Sequence, residues 1–352
     1  MGKFENNILG FVPKEDLLEI GYNVTRQNDP IDGLFSDEKT NNLVAKWFNI
    51  ASEYQIPMMA QFHAWDTESR KTFRIPIDQK NIEKGLIKVK LDQSERMREL
   101  MGRGVVEETE LYEAVMNDAA RLSEEVFTRS KVAKNEVLAT GKMTIKENNL
   151  DLTIDYGVPA ANMAYTIDLA GDIPTELDKI ASDAKKKGVP ISGMVTTSSV
   201  LAKFRRNGYF QQIIGGSSMN GKLVRMSELE AYLQEEFKIN QIITNDLTYG
   251  ASFSVGDDGR PDIVQKNYYP EDKITFFSSN PAGRIGVGLW GDPPAASNFE
   301  TKKVASSRPY VIVDQYMETD PDILWTRAGA LFIPVLYNPN SLFISAVTDS
   351  GV

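Results

Sequence analysis

Few residues in this chain are of a type and spacing that could do chemistry. There is one histidine, His63, and no cysteine. The missing cysteines exclude disulfides, thiolate zinc sites and thiol nucleophiles. A serine hydrolase would need His63 as its base, and no G-x-S-x-G elbow supplies the serine. His63, between Phe62 and Ala64, reads as an ordinary strand residue. The run Gly286-Val287-Gly288-Leu289-Trp290-Gly291 matches the glycine spacing of a dinucleotide loop. Such a loop must open a helix whose amides hold the pyrophosphate. Here Trp290 would occupy the turn and Asp292-Pro293-Pro294 follows, so a glycine-rich strand and loop is the better reading. The acidic stretches at 257–262 and 320–322 lack the alternating oxygens and closing glutamate of a calcium loop, and turn chemistry accounts for them. Asp151 and Asp155 share the polar face of a strand. No phosphate-binding loop is present. The expectation is a chain with no catalytic site, no cofactor and no metal.

Charge narrows the classes further. The net charge is −10, and the densest basic cluster is Lys185-Lys186-Lys187 at the end of a predicted helix, where it complements the helix dipole. A tight nucleic-acid binder needs a basic stripe to displace counterions from phosphates. No apolar run reaches the about 18 residues of a membrane span, and Met1–Asn7 lacks the apolar core of a signal peptide, so a cytoplasmic origin is expected. Asn6 also stands where a myristoylation signal wants Ser or Thr.

The elements that would position these residues follow from periodicity. The first 35 residues, broken by Gly10, Pro13, Gly21, Pro30 and Gly33, read as an extended arm. A helix is expected over 37–54, with Leu43, Trp47 and Ile50 beside Val44, Phe48 and Ala51. Strands at 57–65 and 70–77 bracket the polar turn Asp66-Thr67-Glu68-Ser69, a hairpin, and 86–91 alternates as another strand. A short helix is expected at 93–101. Then Leu111, Val115, Ala119, Leu122, Val126, Ala133 and Val137 predict one long helix over 106–139, capped by Gly141. Its acids (Glu107, Glu108, Glu110, Glu113) and its bases (Arg129, Lys131, Lys134) lie where the helix dipole favours them. A strand over 142–157, helices at 174–187, 198–206 and 227–236, a strand at 191–196 and further strands to about 290 follow. Asp258-Gly259 marks a hairpin turn, and Pro309–Val347 is strand-rich.

That order of elements resembles the Hong Kong 97-type capsid fold. Local resemblance is to the lambda-like major capsid protein E family of tailed bacteriophages. Three segments carry it: Phe73-Arg74-Ile75-Pro76-Ile77 through Leu91; Ala133-Lys134-Asn135-Glu136-Val137-Leu138-Ala139-Thr140-Gly141-Lys142; and Asp320-Pro321-Asp322-Ile323-Leu324-Trp325-Thr326-Arg327-Ala328 with Pro334-Val335-Leu336 and Asn338-Pro339. The resemblance implies an α+β fold divided as an N-terminal arm and first helix at 1–55, an E-loop hairpin at 56–92, a peripheral domain with its spine helix at 93–160, an axial domain at 161–308 and returning C-terminal strands at 309–352.

It further implies a non-enzymatic head protein. Such a protein self-assembles, as hexamers and pentamers, into an icosahedral shell around double-stranded DNA without sequence-specific binding. A separate scaffolding protein, a portal and a decoration protein are the other partners implied, and the virion is the location. Contacts between subunits are expected along the hairpin, at Phe62, Trp65, Arg70, Lys71, Phe73 and Arg74. Two alternatives stand beside this reading. One is an encapsulin-like compartment shell; the other is an α/β enzyme or small-molecule binding protein built on residues 160–300.

Overall fold

The computed structural model describes residues 14–23, 28–50, 59, 77–93, 108–147, 149–216, 223–255, 261–298, 309–319 and 322–350. The fold is mixed α+β and is organised around one helix. This helix, α2 (Glu108–Thr140), is about 50 Å long at 1.5 Å per residue. Val115, Ala119, Leu122, Val126, Ala133 and Val137 are buried along it, as their helical spacing requires. It stops at Gly141, whose φ of +68° admits no ordinary side chain, and a Cβ there would meet Val158 at 2.8 Å.

Two sheets flank α2. The first is ordered β1 (Phe35–Lys39), β13 (Gly286–Gly291), β15 (Asp322–Leu336) and β14 (Ile312–Thr319), with β4 (Gly85–Gln93) also paired to β15. Along β15 the even-numbered residues Leu324, Thr326, Ala328, Ala330 and Phe332 are buried, the period of a strand with one face on a core. The second sheet is ordered β7 (Tyr165–Asp168), β16 (Leu342–Thr348), β12 (Lys273–Phe277), β8 (Gly193–Thr196) and β9 (Gln241–Thr244).

One face of the second sheet, with Ile167, Met194, Ile274, Phe276 and Phe343, packs under α3 (Ile173–Lys186), α4 (Ser198–Arg206), α5 (Gly208–Gly215) and α6 (Met226–Phe237). Its other face joins the core around α2 through Val195, Phe277 and Leu342. There Thr275 donates its hydroxyl to the Leu138 carbonyl at 2.8 Å.

Three two-stranded ribbons complete the structure: β2 (Val44–Ile50) with β3 (Ile77–Glu83), β5 (Lys142–Glu147) with β6 (Leu150–Asp155), and β10 (Thr248–Val255) with β11 (Pro261–Asn267). The single strand expected over 142–157 is therefore a hairpin, turning at Asn149 with φ +63°. The expected turn at Asp258-Gly259 and the short helix at 93–101 lie outside the described residues, apart from Gln93, which ends β4.

Two expectations for the N-terminal region are corrected. Residues 37–54 do not form a helix: 35–39 and 44–50 are strands. Ala45 and Trp47 are buried while Lys46 is exposed, so the spacing that suggested a helix is satisfied by alternation. The reading of the first 35 residues as an extended arm also fails, because α1 (Lys14–Asn23) is helical. Leu17 and Ile20 are buried, and Gly21 lies so close to the chain that a Cβ would meet the Val311 carbonyl at 2.6 Å. Gly21, read as a helix breaker, is a close-approach residue instead.

Candidate functional site

The most elaborate polar chemistry lies where the segment 28–40 docks on α2, and every part of it is buried. Asp29 accepts hydrogen bonds from the Ile31 amide (2.9 Å), Asn245 Nδ2 (3.1 Å) and Asn135 Nδ2 (3.0 Å). Asn245 Nδ2 also donates to Asn135 Oδ1 at 2.9 Å, and Asn135 Nδ2 to the Lys131 carbonyl at 2.9 Å. Burial pushes the Asp29 carboxyl above the usual range, against the pull of these donors. Three distant stretches of chain meet here: the N-terminal segment, α2 and the loop after β9.

One turn away along α2, Lys134 is 2% exposed and lies 3.0 Å from both Asp32 and Asp37. Asp37 also accepts from Trp290 Nε1 at 2.9 Å. Reading Lys131 and Lys134 as surface charges that complement the dipole of α2 is therefore corrected. Both are buried, and both lie before the last turn, the only part the dipole effect reaches. Arg129 instead reaches Glu147 of β5 at 3.0 Å.

Lys84, between β3 and β4, is the third buried cation. Its ammonium donates to the Thr40 carbonyl (2.8 Å), Thr40 Oγ1 (2.9 Å) and the Trp290 carbonyl (2.8 Å). Burial lowers its pKa to about 8. It forms one wall of a cleft of about 680 Å³ shared with Asn41, Asn42, Glu83, Leu86 and Asp292. A lysine with all three protons directed at fixed acceptors is a clamp; nothing electrophilic faces it. The glycine run at 286–291 explains itself in the same place, since β13 is a strand and no helix follows it. A Cβ at Gly288 would meet Asp37 Oδ1 at 2.5 Å and Lys134 Cε at 3.2 Å. Trp290 occupies no turn: it is fully buried, with its ring 5.3 Å from Phe127 and 4.6 Å from Phe332.

These clamps hold the base of an excursion. Ile50 pairs with Ile77 across the β2–β3 ribbon, so residues 51–76 leave and return at one point. The ribbon rests on its own core through Ala45 and Trp47, the latter stacked on Tyr156 at 5.4 Å. The expected contact residues Phe62, Trp65, Arg70, Lys71, Phe73 and Arg74 all fall within that excursion and, like His63, lie outside the described residues. The outer face of the first sheet carries a different group. Lys90 lies 3.6 Å from the Trp325 ring, Trp325 Nε1 donates to Glu318 at 2.8 Å, and Arg327 holds Asp314 through two bonds of 2.9 and 2.6 Å. Among the described residues no group of acidic or histidine side chains could hold a metal, and no helix is long and apolar enough to cross a membrane.

Clamps without a reactive centre, a scaffold helix and an excursion with a rigid base are parts of a building block. The model of the phage major capsid protein E family matches residues 68–347. This chain belongs to that family. No curated protein matches the sequence. Among solved structures, a protein assigned as a prophage capsid protein of E. coli CFT073 is 12% identical, with a TM-score of 0.53, and the match covers 96% of this chain and 99% of that one. The capsid of Myoviridae phage XM1 is 10% identical, with a TM-score of 0.47 over 92% of this chain and 94% of that one. The SrpI encapsulin of Synechococcus elongatus PCC 7942 is 10% identical at a TM-score of 0.45, covering 91% and 87%. The fold is the capsid-protein fold of tailed phages, and the role of the phage major capsid protein E family is structural.

Sequence reasoning missed the segment 28–40 as a docking element. Asp29-Pro30 offered a signal, because an Asp before a proline is a common helix or turn start. Here Asp29 does cap a short 3-10 turn, Pro30–Gly33.

Proposed function

We propose that copies of this chain join as hexamers and pentamers into an icosahedral shell around double-stranded DNA, with the excursion at 51–76 lying on a neighbouring copy. The observation that carries the reading is the base of that excursion. Trp47, Ala45 and Lys84 fix the ribbon to its own core. The segment beyond carries Met58, Met59, Phe62, Trp65, Phe73 and Ile75, too much apolar surface for a ribbon to keep in water alone. Arg70, Lys71 and Arg74 supply cations for acidic patches on the neighbour. In this reading residues 1–55 are the arm, 56–92 the E-loop, 93–160 the peripheral unit, 161–308 the axial unit and 309–352 the returning strands. A separate scaffolding protein, a portal and a decoration protein complete the particle, which is built in the host cytoplasm. The shell interior carries much of the −10 net charge, so that packed DNA does not adhere to it.

The test is to replace residues 62–74 with a short glycine-containing turn and examine the product by electron microscopy and circular dichroism. A folded, soluble protein that forms no shells is expected, while the intact chain forms closed particles. Normal shells from the trimmed protein, or its outright unfolding, would remove the role assigned to the excursion.

A further inference from the structure

The β10–β11 ribbon has no partner within its own chain. It springs from β9, the strand at one edge of the second sheet, and its eight-residue strand β10 spans about 25 Å at 3.3 Å per residue. Its base is firm: Tyr268 is buried, its amide donates to the Leu247 carbonyl at 2.9 Å, and its ring lies 4.9 Å from Tyr249. Beyond the base every residue from Asp262 to Asn267 is exposed, so neither face of β11 is covered. Ile263 and Val264, adjacent and hence on opposite faces, are 55% and 49% exposed. A two-stranded ribbon with apolar residues on both faces is marginal in water and invites pairing.

A second uncovered apolar group lies at the opposite edge of the same sheet. Asn207 donates to the carbonyls of Leu169 and Gly171, the loop just past edge strand β7, and so fixes the start of α5 there. Tyr209 and Ile213, one turn apart on α5, are 45% and 50% exposed. Leu223 is 48% exposed beside them, because Val224 and Arg205 exchange hydrogen bonds of 3.1 and 2.8 Å at the end of α4. Arg206, exposed next to this group, offers a cation to the exposed Asp262 of the ribbon.

We infer that the β10–β11 ribbon of one copy docks on the α5 group of the next. The two surfaces differ and lie at opposite edges of one sheet, which is the arrangement of a head-to-tail contact. Repeated with a closing rotation, such a contact makes a ring. This rests on the shell reading above and adds to it a second contact, independent of the excursion at 51–76.

The absence of cysteine makes the test clean. A chain carrying Ile213→Cys and Val264→Cys is assembled, treated with a short bismaleimide and run on a denaturing gel. A ladder of multimers beyond what either single variant yields supports the docking. Assembled particles without that ladder overturn it and leave the shell reading standing. A second variant, Ile263→Ser with Val264→Ser, guards against disturbance by the cysteines. Wild-type circular dichroism with loss of assembly supports the proposal, and normal assembly of this variant overturns it. An unmodified chain that stays monomeric with scaffold and at every salt concentration would overturn the shell reading, and this contact with it.

Discussion

The two ribbons that leave the body of this protein, β2–β3 and β10–β11, have similar lengths and opposite relations to it. In the first, alternate residues turn inward and Trp47 is 4% exposed against Tyr156. In the second, the residues of β11 from Asp262 onward alternate between two exposed faces. A ribbon gains stability only from what covers it. The first is thus part of the folded subunit, and the second is stable to the extent that another molecule covers it. A chain built to assemble needs both kinds, one to hold an arm in place and one to reach a neighbour.

The largest test of that difference is Trp47→Ala. Loss of the buried indole should destabilise the unassembled subunit by about 3–5 kcal/mol in urea unfolding. Trp47 Nε1 has no hydrogen-bond partner among the described residues. Trp47→Phe should therefore cost about 1 kcal/mol or less, since it removes a buried unsatisfied donor along with part of the ring. A large loss for the phenylalanine variant would show that the indole N–H is satisfied after all.

Next in size is Lys134→Met, which leaves Asp32 and Asp37 facing each other beside α2. About 3 kcal/mol should be lost, because the partners of a removed buried charge keep their desolvation cost. An unchanged urea midpoint would mean that this cation does not hold the strand leading into the first ribbon.

Lys84 sharpens the comparison through pH. Its folded pKa, about 8, lies below the ordinary 10.5, so over that window the unfolded chain holds a proton that the folded chain has released. Stability from this group therefore rises as pH goes from 8 to 10.5, and the charged form below pH 8 bears the full cost of burial. Melting curves of the wild type and Lys84→Met should diverge in favour of the wild type across that window. Parallel curves would remove the lysine from the account.

The smallest effect belongs to the second ribbon. Ile263→Ala and Val264→Ala should each change the stability of the isolated subunit by no more than about 0.5 kcal/mol, as expected of exposed positions. A loss comparable to that of Trp47→Ala would mean that the ribbon packs on its own chain.

Much of the fold was legible where one periodicity ran long enough to exclude the other. The buried stripe from Val115 to Val137 marks α2, and the alternation of Ile87, Val89 and Leu91 with lysines marks β4. Helices α3, α4 and α6 fall within a residue of their expected bounds. Over 37–54 the run was short, and Val44, Trp47, Phe48 and Ile50 satisfy a helical stripe as well as a strand. Helix α5 went unnoticed between glycines, although Asn207 is its N-cap and accepts from Tyr209 and Phe210. That signal was present in the sequence. The acids and bases of the junction carried no such signal, since a buried Lys134 and an exposed lysine are spelled alike.

By itself the sequence determined the elements whose pattern is local, the lack of residues for catalysis, and, through three short segments, the resemblance to phage capsid proteins. Tertiary structure alone decided which charges are buried, that 28–40 docks on α2, and which ribbon is covered. Helix and strand patterns arise from neighbours a few residues away. Asp29 meets Asn245, and Lys134 meets Asp37, across chain separations that no local pattern records. Burial belongs to what the folded chain places around a residue, so it could be read only once the fold had brought those partners together.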